Sequence, residues 1–140
     1  MKVYDAENQI LGRMASVIAK ELLKGESIVV VNCEKSVLTG NPKQKREFYA
    51  HRFERGDPIH GPFFPRQPER IFRRTVRGML PWDKARGRDA YRNLKVFVGI
   101  PEDVRSAEKA KVRAADAEKL KVKYSTLGDI AISIGAKKKW

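Results

Sequence analysis

The residues with the most chemical potential in this chain lie between Gly61 and Gly99, in GPFFPRQPERIFRRTVRGMLPWDKARGRDAYRNLKVFVG. Arg66, Arg70, Arg73, Arg74, Arg77, Lys84, Arg86, Arg88 and Arg92 are spread through it, opposed only by Glu69, Asp83 and Asp89. Wound as a helix at about 100° per residue, Arg70, Arg73, Arg74 and Arg77 share an arc of roughly 100°. Ile71, Phe72, Thr75, Val76 and Met79 fill an arc of roughly 140° opposite, the pattern of an amphipathic helix. Four guanidinium groups pointing outward together repel one another, and nothing within the helix relieves them. A polyphosphate partner is the simplest source of relief. The alternative is a solvated basic face paired with acids elsewhere in the fold.

Other reactive side chains are scarce. Cys33, His51 and His60 are the only candidates for a nucleophile with an imidazole base. No third group orients them as a triad requires, and they are a poor set of metal ligands. Cys33 follows an apolar run, as a buried small hydrophobe does. Gly40-Asn41-Pro42-Lys43 lacks the spacing of a phosphate loop, and no GxGxxG follows the first apolar run. Gly12-Arg13 opens a helix whose N-terminus could approach a phosphate, or is ordinary helix initiation. No cofactor, metal or small-molecule substrate is expected.

Charge supports the polyanion reading. The 140 residues carry a net charge of +13 with a pI of about 10.1, in the range of nucleic-acid-binding domains. Residues 1–40 hold five basic and five acidic residues, whereas residues 41–99 hold fifteen basic and six acidic. Eleven of the fourteen arginines fall in that middle block. Arginine offers a planar fork of donors and stacks on bases, so the bias favours structured nucleic acid over a plain basic tail. The aromatic residues Phe63 and Phe64, in a proline-rich loop, are candidates for stacking on unpaired bases. One cysteine excludes an internal disulfide and a cysteine zinc site. MKVYDAENQ has no signal-peptide core, and no apolar run approaches the ~20 residues of a membrane span. A soluble cytoplasmic protein, away from membranes, is expected.

The elements that must position these residues follow from pattern. Lys2 to Asp5 suits a short strand. Leu11, Met14, Ala15, Ile18 and Leu22 recur at helical spacing before Gly25, and Ile28 to Asn32 suits a central strand. Together they form a βαβ unit. Asn41, Pro42 and Gln44 read as a capped helix start, for a helix carrying Lys43, Lys45, Arg46 and Arg52. Residues 55–68, with four prolines, predict an extended surface loop. Pro68 starts the arginine-faced helix, and Lys84 to Arg92 predicts another. Leu94 to Val98 predicts a strand, with Gly78, Gly87 and Gly99 as turns. Glu102 to Lys121 is helical by propensity. Thr126 and Asp129 resemble a capping box before Leu127, Ile130, Ala131 and Ile134. Lys137 to Lys139 and Trp140 read as a basic tail with an aromatic tip. Length and the absence of a linker or repeat predict a single domain over 1–140.

The run Pro68 to Pro81 (PERIFRRTVRGMLP), with Arg86-Gly87 and Leu94 to Pro101 (LKVFVGIP), resembles the universal large-subunit ribosomal protein family L-thirteen, in its archaeal and eukaryotic form. Leu11 to Ser16 (LGRMAS), Val31 to Lys35 (VNCEK) and Thr39-Gly40-Asn41 match it in order, and Tyr124 to Gly135 resembles the family's end. Asp83 departs from the pattern, and residues 102–123 are not matched. The resemblance implies an α/β fold of three layers, α/β/α, around a parallel sheet of about four strands. It implies a non-enzymatic protein that binds large-subunit ribosomal RNA beside neighbouring large-subunit proteins and acts early in subunit assembly. On the residues themselves, Arg13, Lys43, Lys45, Arg46, Arg52, Arg66, Arg70, Arg73, Arg74, Arg77, Lys84, Arg86, Arg88 and Arg92 are the expected RNA contacts. The rival readings are an RNA-modifying enzyme on an α/β scaffold and a free regulator that binds messenger RNA.

Overall fold

A computed structural model of the chain describes residues 1–118 and 120–140. In chain order its main elements are β1 (Lys2–Asp5), α1 (Leu11–Leu23), β2 (Ile28–Val31), β3 (Val37–Thr39), α2 (Pro42–Glu54), α3 (Pro68–Arg77), α4 (Ala85–Arg92), β4 (Leu94–Val96), β5 (Lys109–Ala110), β6 (Tyr124–Thr126) and α5 (Leu127–Ser133). The expected βαβ unit is present. β1 and β2 run parallel, with Lys2 opposite Ile28 and Asp5 opposite Val31. Between them α1 buries Leu11, Met14, Ala15, Ile18 and Leu22, the face its spacing predicts. All four residues of β2 are buried, as befits a strand covered on both faces. Asn32 ends the strand by turning left-handed, at φ 54°, and its side-chain amide donates to Asp5 Oδ1 at 2.9 Å.

β4 adds beside β2 and β5 beside β1, giving a four-stranded, all-parallel sheet in the order β4-β2-β1-β5. One face of the sheet presents Tyr4, Ile28, Val30, Leu94 and Val96 to the main core, which α1 and α3 close with Met14, Ile18, Ile71, Phe72 and Val76. The opposite face presents Val3, Val29 and Val31, covered by Val104 with Ala107. Strand alternation sends neighbours in β1 and β2 to opposite cores. The fold is thus three-layer α/β with the sheet in the middle. The far layer is the segment around the 3-10 turn Glu102–Val104.

That segment corrects one expectation. Residues 102–118 are not a helix; they form two 3-10 turns and the short edge strand β5, and Lys119, within the expected helix, lies outside the described residues. Tertiary contacts override a helix propensity that is only a weak prior. Val104, Val112, Ala115 and Ala117 are all buried, in three separate clusters or contacts. The backbone is bonded away as well: Val112 N donates to the buried Gln9 Oε1 at 3.1 Å, and Ala117 N to Asn8 O at 2.9 Å. A straight helix could not deliver these side chains to both faces of the sheet.

Local capping holds where it was expected. The Asn41 side chain accepts from Lys43 N at 3.0 Å, and Thr126 Oγ1 from Asp129 N at 3.2 Å. An antiparallel pair of β3 and β6 was not anticipated. The tail also differs from expectation at its tip: Lys137 to Lys139 are exposed, but Trp140 folds back on the main core. Gly87 is not a turn. It lies inside α4, where a Cβ would strike the backbone carbonyl of Pro81. That close approach sets α4 against the end of α3. Gly87→Ala should therefore destabilise by about 1–3 kcal/mol through overpacking, although alanine normally gains about 1 kcal/mol in a helix. Urea unfolding of the two proteins measures the sign.

Candidate nucleic-acid interface

The interface builds outward from α3. Gln67 precedes it without a side-chain cap, Pro68 occupies its first turn, and Glu69 suits the positive end of the helix. Ile71, Phe72 and Val76 point into the core at 1%, 0% and 0% exposure. Arg70, Arg74 and Arg77 are exposed on the other side, and Arg73 is half-buried between the two. The two-faced helix is therefore as the spacing predicts, with one exception. Met79 is exposed rather than packed, and it lies beyond the last helical residue, Arg77.

Carboxylates do not neutralise this face. Among the described residues, the ion pairs are Lys2 with Glu21 and Glu26, Lys35 with Glu7, His60 with Asp57, and Arg92 with Asp89. None involves Arg70, Arg73, Arg74 or Arg77. The guanidinium groups of Arg73, Arg74 and Arg77 lie on aromatic rings instead. Arg74 sits 4.9 Å from the Phe64 ring centre, Arg77 4.1 Å from Trp82, and Arg73 4.7 Å from Tyr91. Arg66 lies 4.3 Å from Phe53 and Arg52 4.6 Å from Phe48. Such a stack is worth about 0.5–1 kcal/mol when exposed. It holds the charge without neutralising it, and Arg74 and Arg77 remain exposed. The Nε of Arg73 is buried with no partner.

The rings are themselves fixed. Phe64 packs edge-on against Tyr49 at 6.0 Å, and Trp82 against Tyr91 at 5.3 Å. Burial raises the Tyr49 hydroxyl above its ordinary value, with Arg52 pulling the other way. The consecutive phenylalanines of the loop part company. Phe63 is 68% exposed and free to stack, whereas Phe64 is 9% exposed and serves as a platform. A tight turn shapes the loop's outer end: Asp57 and Gly61 exchange backbone hydrogen bonds of 3.2 and 3.0 Å. Gly56 must be glycine there, at φ 97° and with the Gly61-Pro62 backbone against it.

The remaining predicted contacts divide by what they already touch. Arg70, Arg73, Arg74 and Arg77 line one cleft of about 440 Å³ with Phe63 and Tyr91. Arg52 joins them across Arg74, together with Arg55. Arg55 was missed as a contact because its neighbours in sequence carry no pattern. Lys43, Arg46, Lys84 and Arg88 are exposed, and Lys45 is half-buried. Arg46 stands apart, beside Asp129 and Ser133. Three others have partners within the protein. Arg13 donates to Ala114 O at 3.4 Å, Arg86 to Leu23 O at 3.2 Å, and Arg92 pairs with Asp89 at 3.1 Å. Cys33 is fully buried, and burial, then Glu34 and Glu69, drives its thiol far above the ordinary range. No hydrogen bond joins it to His51 or His60 among the described residues, and no group of three candidate metal ligands occurs there.

A parallel α/β fold that displays stacked, unneutralised arginines belongs to the class of basic proteins suited to a structured polyanion. Comparison with known proteins is specific. The family model described as Ribosomal protein L13 matches residues 1–103. Large ribosomal subunit protein uL13 of Archaeoglobus fulgidus is 53% identical over 135 residues, covering 95% of this chain and 86% of that one. Its counterpart in Methanopyrus kandleri is 46% identical over 136 residues, with coverages of 95% and 86%. That of Methanosarcina barkeri is 45% identical over 139 residues, with coverages of 98% and 99%. The chain belongs to the ribosomal protein L13 family.

The two loop phenylalanines give a direct check on the platform. Phe64→Ala should lose about 3 kcal/mol of stability, at the low end for a buried phenylalanine. Phe63→Ala should stay within about 0.5 kcal/mol of the parent. Equal losses in urea titrations would mean that the assignment of the two rings is wrong.

Proposed function

We propose that this protein is a structural, non-enzymatic constituent of the large ribosomal subunit, resident on cytoplasmic ribosomes, that binds and organises large-subunit ribosomal RNA. The observation that carries the proposal is the arginine face of α3, which is held by rings and left without carboxylates. Family membership supplies the polyanion: relatives of 45–53% identity are named as large-subunit proteins. The whole of residues 1–140 acts as one RNA-binding unit, with neighbouring large-subunit proteins as its other partners, and it joins the particle early in assembly.

The chemistry is charge neutralisation where RNA strands crowd together. Arg70, Arg73, Arg74 and Arg77 take phosphates directly, with Arg52, Arg66, Lys84 and Arg88 extending the track. Lys43, Lys45 and Arg46 on α2 reach a further strand. Arg13, Arg86 and Arg92 contribute less, because each already has a partner. Phosphate contacts fix position and orientation but carry no sequence information. The proline-rich loop adds little ordering entropy on binding, since its φ angles are preset. The C-terminal lysines add outlying phosphate contacts.

Binding to a transcript of large-subunit RNA should fall about 10³–10⁵-fold between 50 and 200 mM salt if about six to ten phosphates are neutralised. Replacing Arg70, Arg74 and Arg77 together by alanine should flatten the log–log salt slope by about two to three. The variant should keep its circular dichroism spectrum. It gives up two stacks worth about 1–2 kcal/mol in all, against a typical domain stability of about 5–15 kcal/mol. An unchanged slope and affinity would remove α3 from the interface.

A further inference from the structure

A second cleft, of about 620 Å³, opens between α2, the proline-rich loop and α3. Its size suits a small organic group, within the range of about 300–1,000 Å³ common for ligand pockets. Tyr49 and Phe64 form its apolar wall and Met79 its lip; Arg52, Arg55 and Arg74 stand around it. Tyr49 and Phe64 are 8% and 9% exposed, and Met79 is 41% exposed. Arg74 lines this cleft and the arginine cleft alike, so a strand whose phosphates lie along α3 passes the mouth.

We infer that this cleft takes one unpaired nucleotide of the bound RNA, its base inserted between Met79 and the Tyr49–Phe64 wall and its phosphate held by Arg52, Arg55 and Arg74. The inference rests on the RNA-binding reading and deepens it. The composition of the walls selects the occupant. A phosphate alone would leave the aromatic wall and Met79 uncovered. An aliphatic side chain would leave three guanidinium groups facing no anion. A nucleotide satisfies both, because every base has an apolar face and carries its own negative charge. The Arg74 guanidinium already lies on Phe64, so its outer face is a ready surface for a second stack, as in recognition of splayed bases. Methionine adapts to an irregular partner through its polarisable sulfur. Phosphate contacts position an RNA and base contacts specify it, so this cleft is where discrimination between RNAs enters.

The probe is a short RNA duplex, compared with the same duplex carrying one bulged 2-aminopurine nucleotide. The bulged RNA should bind about tenfold or more tightly, the gain from stacking one base, and its fluorescence should fall as the base stacks. Gly78 lines the cleft, and a Cβ there meets only ordinary contacts, 3.6 Å from Thr75 O. Gly78→Phe should therefore fill the mouth and reduce the preference for the bulge to about onefold. Met79→Ala, a change at an exposed side chain, should reduce it partway, and it stands in if Gly78→Phe does not fold. Equal binding of the two RNAs, no quenching, or a preference that survives both substitutions would overturn the inference and leave RNA binding intact. If neither RNA binds, the RNA-binding reading fails first.

Discussion

The structure turns on guanidinium groups resting on aromatic rings rather than on carboxylates. Like charges one turn apart on a helix destabilise it by about 0.2–0.5 kcal/mol per pair. Each stack returns about 0.5–1 kcal/mol, and Arg73, Arg74 and Arg77 each have one. The rings therefore offset the repulsion along α3 without cancelling any charge. A carboxylate would offset it only by neutralising the face. The relief that the sequence alone assigned to an outside polyanion is supplied in part from within, by rings on other segments.

Two of those rings, Tyr91 and Trp82, are in place because of how α3 and α4 meet. Ile71, Phe72 and Val76 anchor α3 in the main core. Pro81 turns the chain, and its carbonyl lies against Gly87 where no Cβ intervenes. Four residues on from Gly87, one turn along the same face of α4, stands Tyr91, under Arg73. Trp82, next to Pro81, packs on Tyr91 and carries Arg77. A backbone contact at a glycine is thus coupled to the aim of two guanidinium groups.

Elements whose signals are complete within a few residues were legible. The spacing of α1, the β-branched run of β2 and the caps at Asn41 and Thr126 each state their own structure, and the two faces of α3 follow from angular arithmetic. What depended on distant partners was hidden. Lys109 and Ala110 have no strand propensity; they become β5 only because β1 offers an unpaired edge. Val37 to Thr39 finds its partner at residues 124–126, far along the chain. Alternation in an extended segment says that Phe63 and Phe64 face opposite ways, but only the position of Tyr49 decides which is buried. The proposed contacts show the same limit. That arginines cluster was visible, but that Arg13, Arg86 and Arg92 have partners and that Arg55 joins the cleft was not, since each depends on a residue remote in sequence or on a loop.

The arm made by α2 and the loop after it buries little. A helix of thirteen residues that buries only Tyr49 gains little from packing, and helices owe most of their stability to packing an apolar face. Within the arm Tyr49 packs on Phe64 and Phe53 lies under Arg66, and α2 rests on the body against α5 and β6. Both ring contacts lie beside arginines that face outward, so neutralising those charges also removes the repulsion that the contacts must withstand. An anionic partner seated here does not merely occupy a preformed surface. On the proposed reading it would also ease the repulsion across the contacts between α2 and the loop that form the surface.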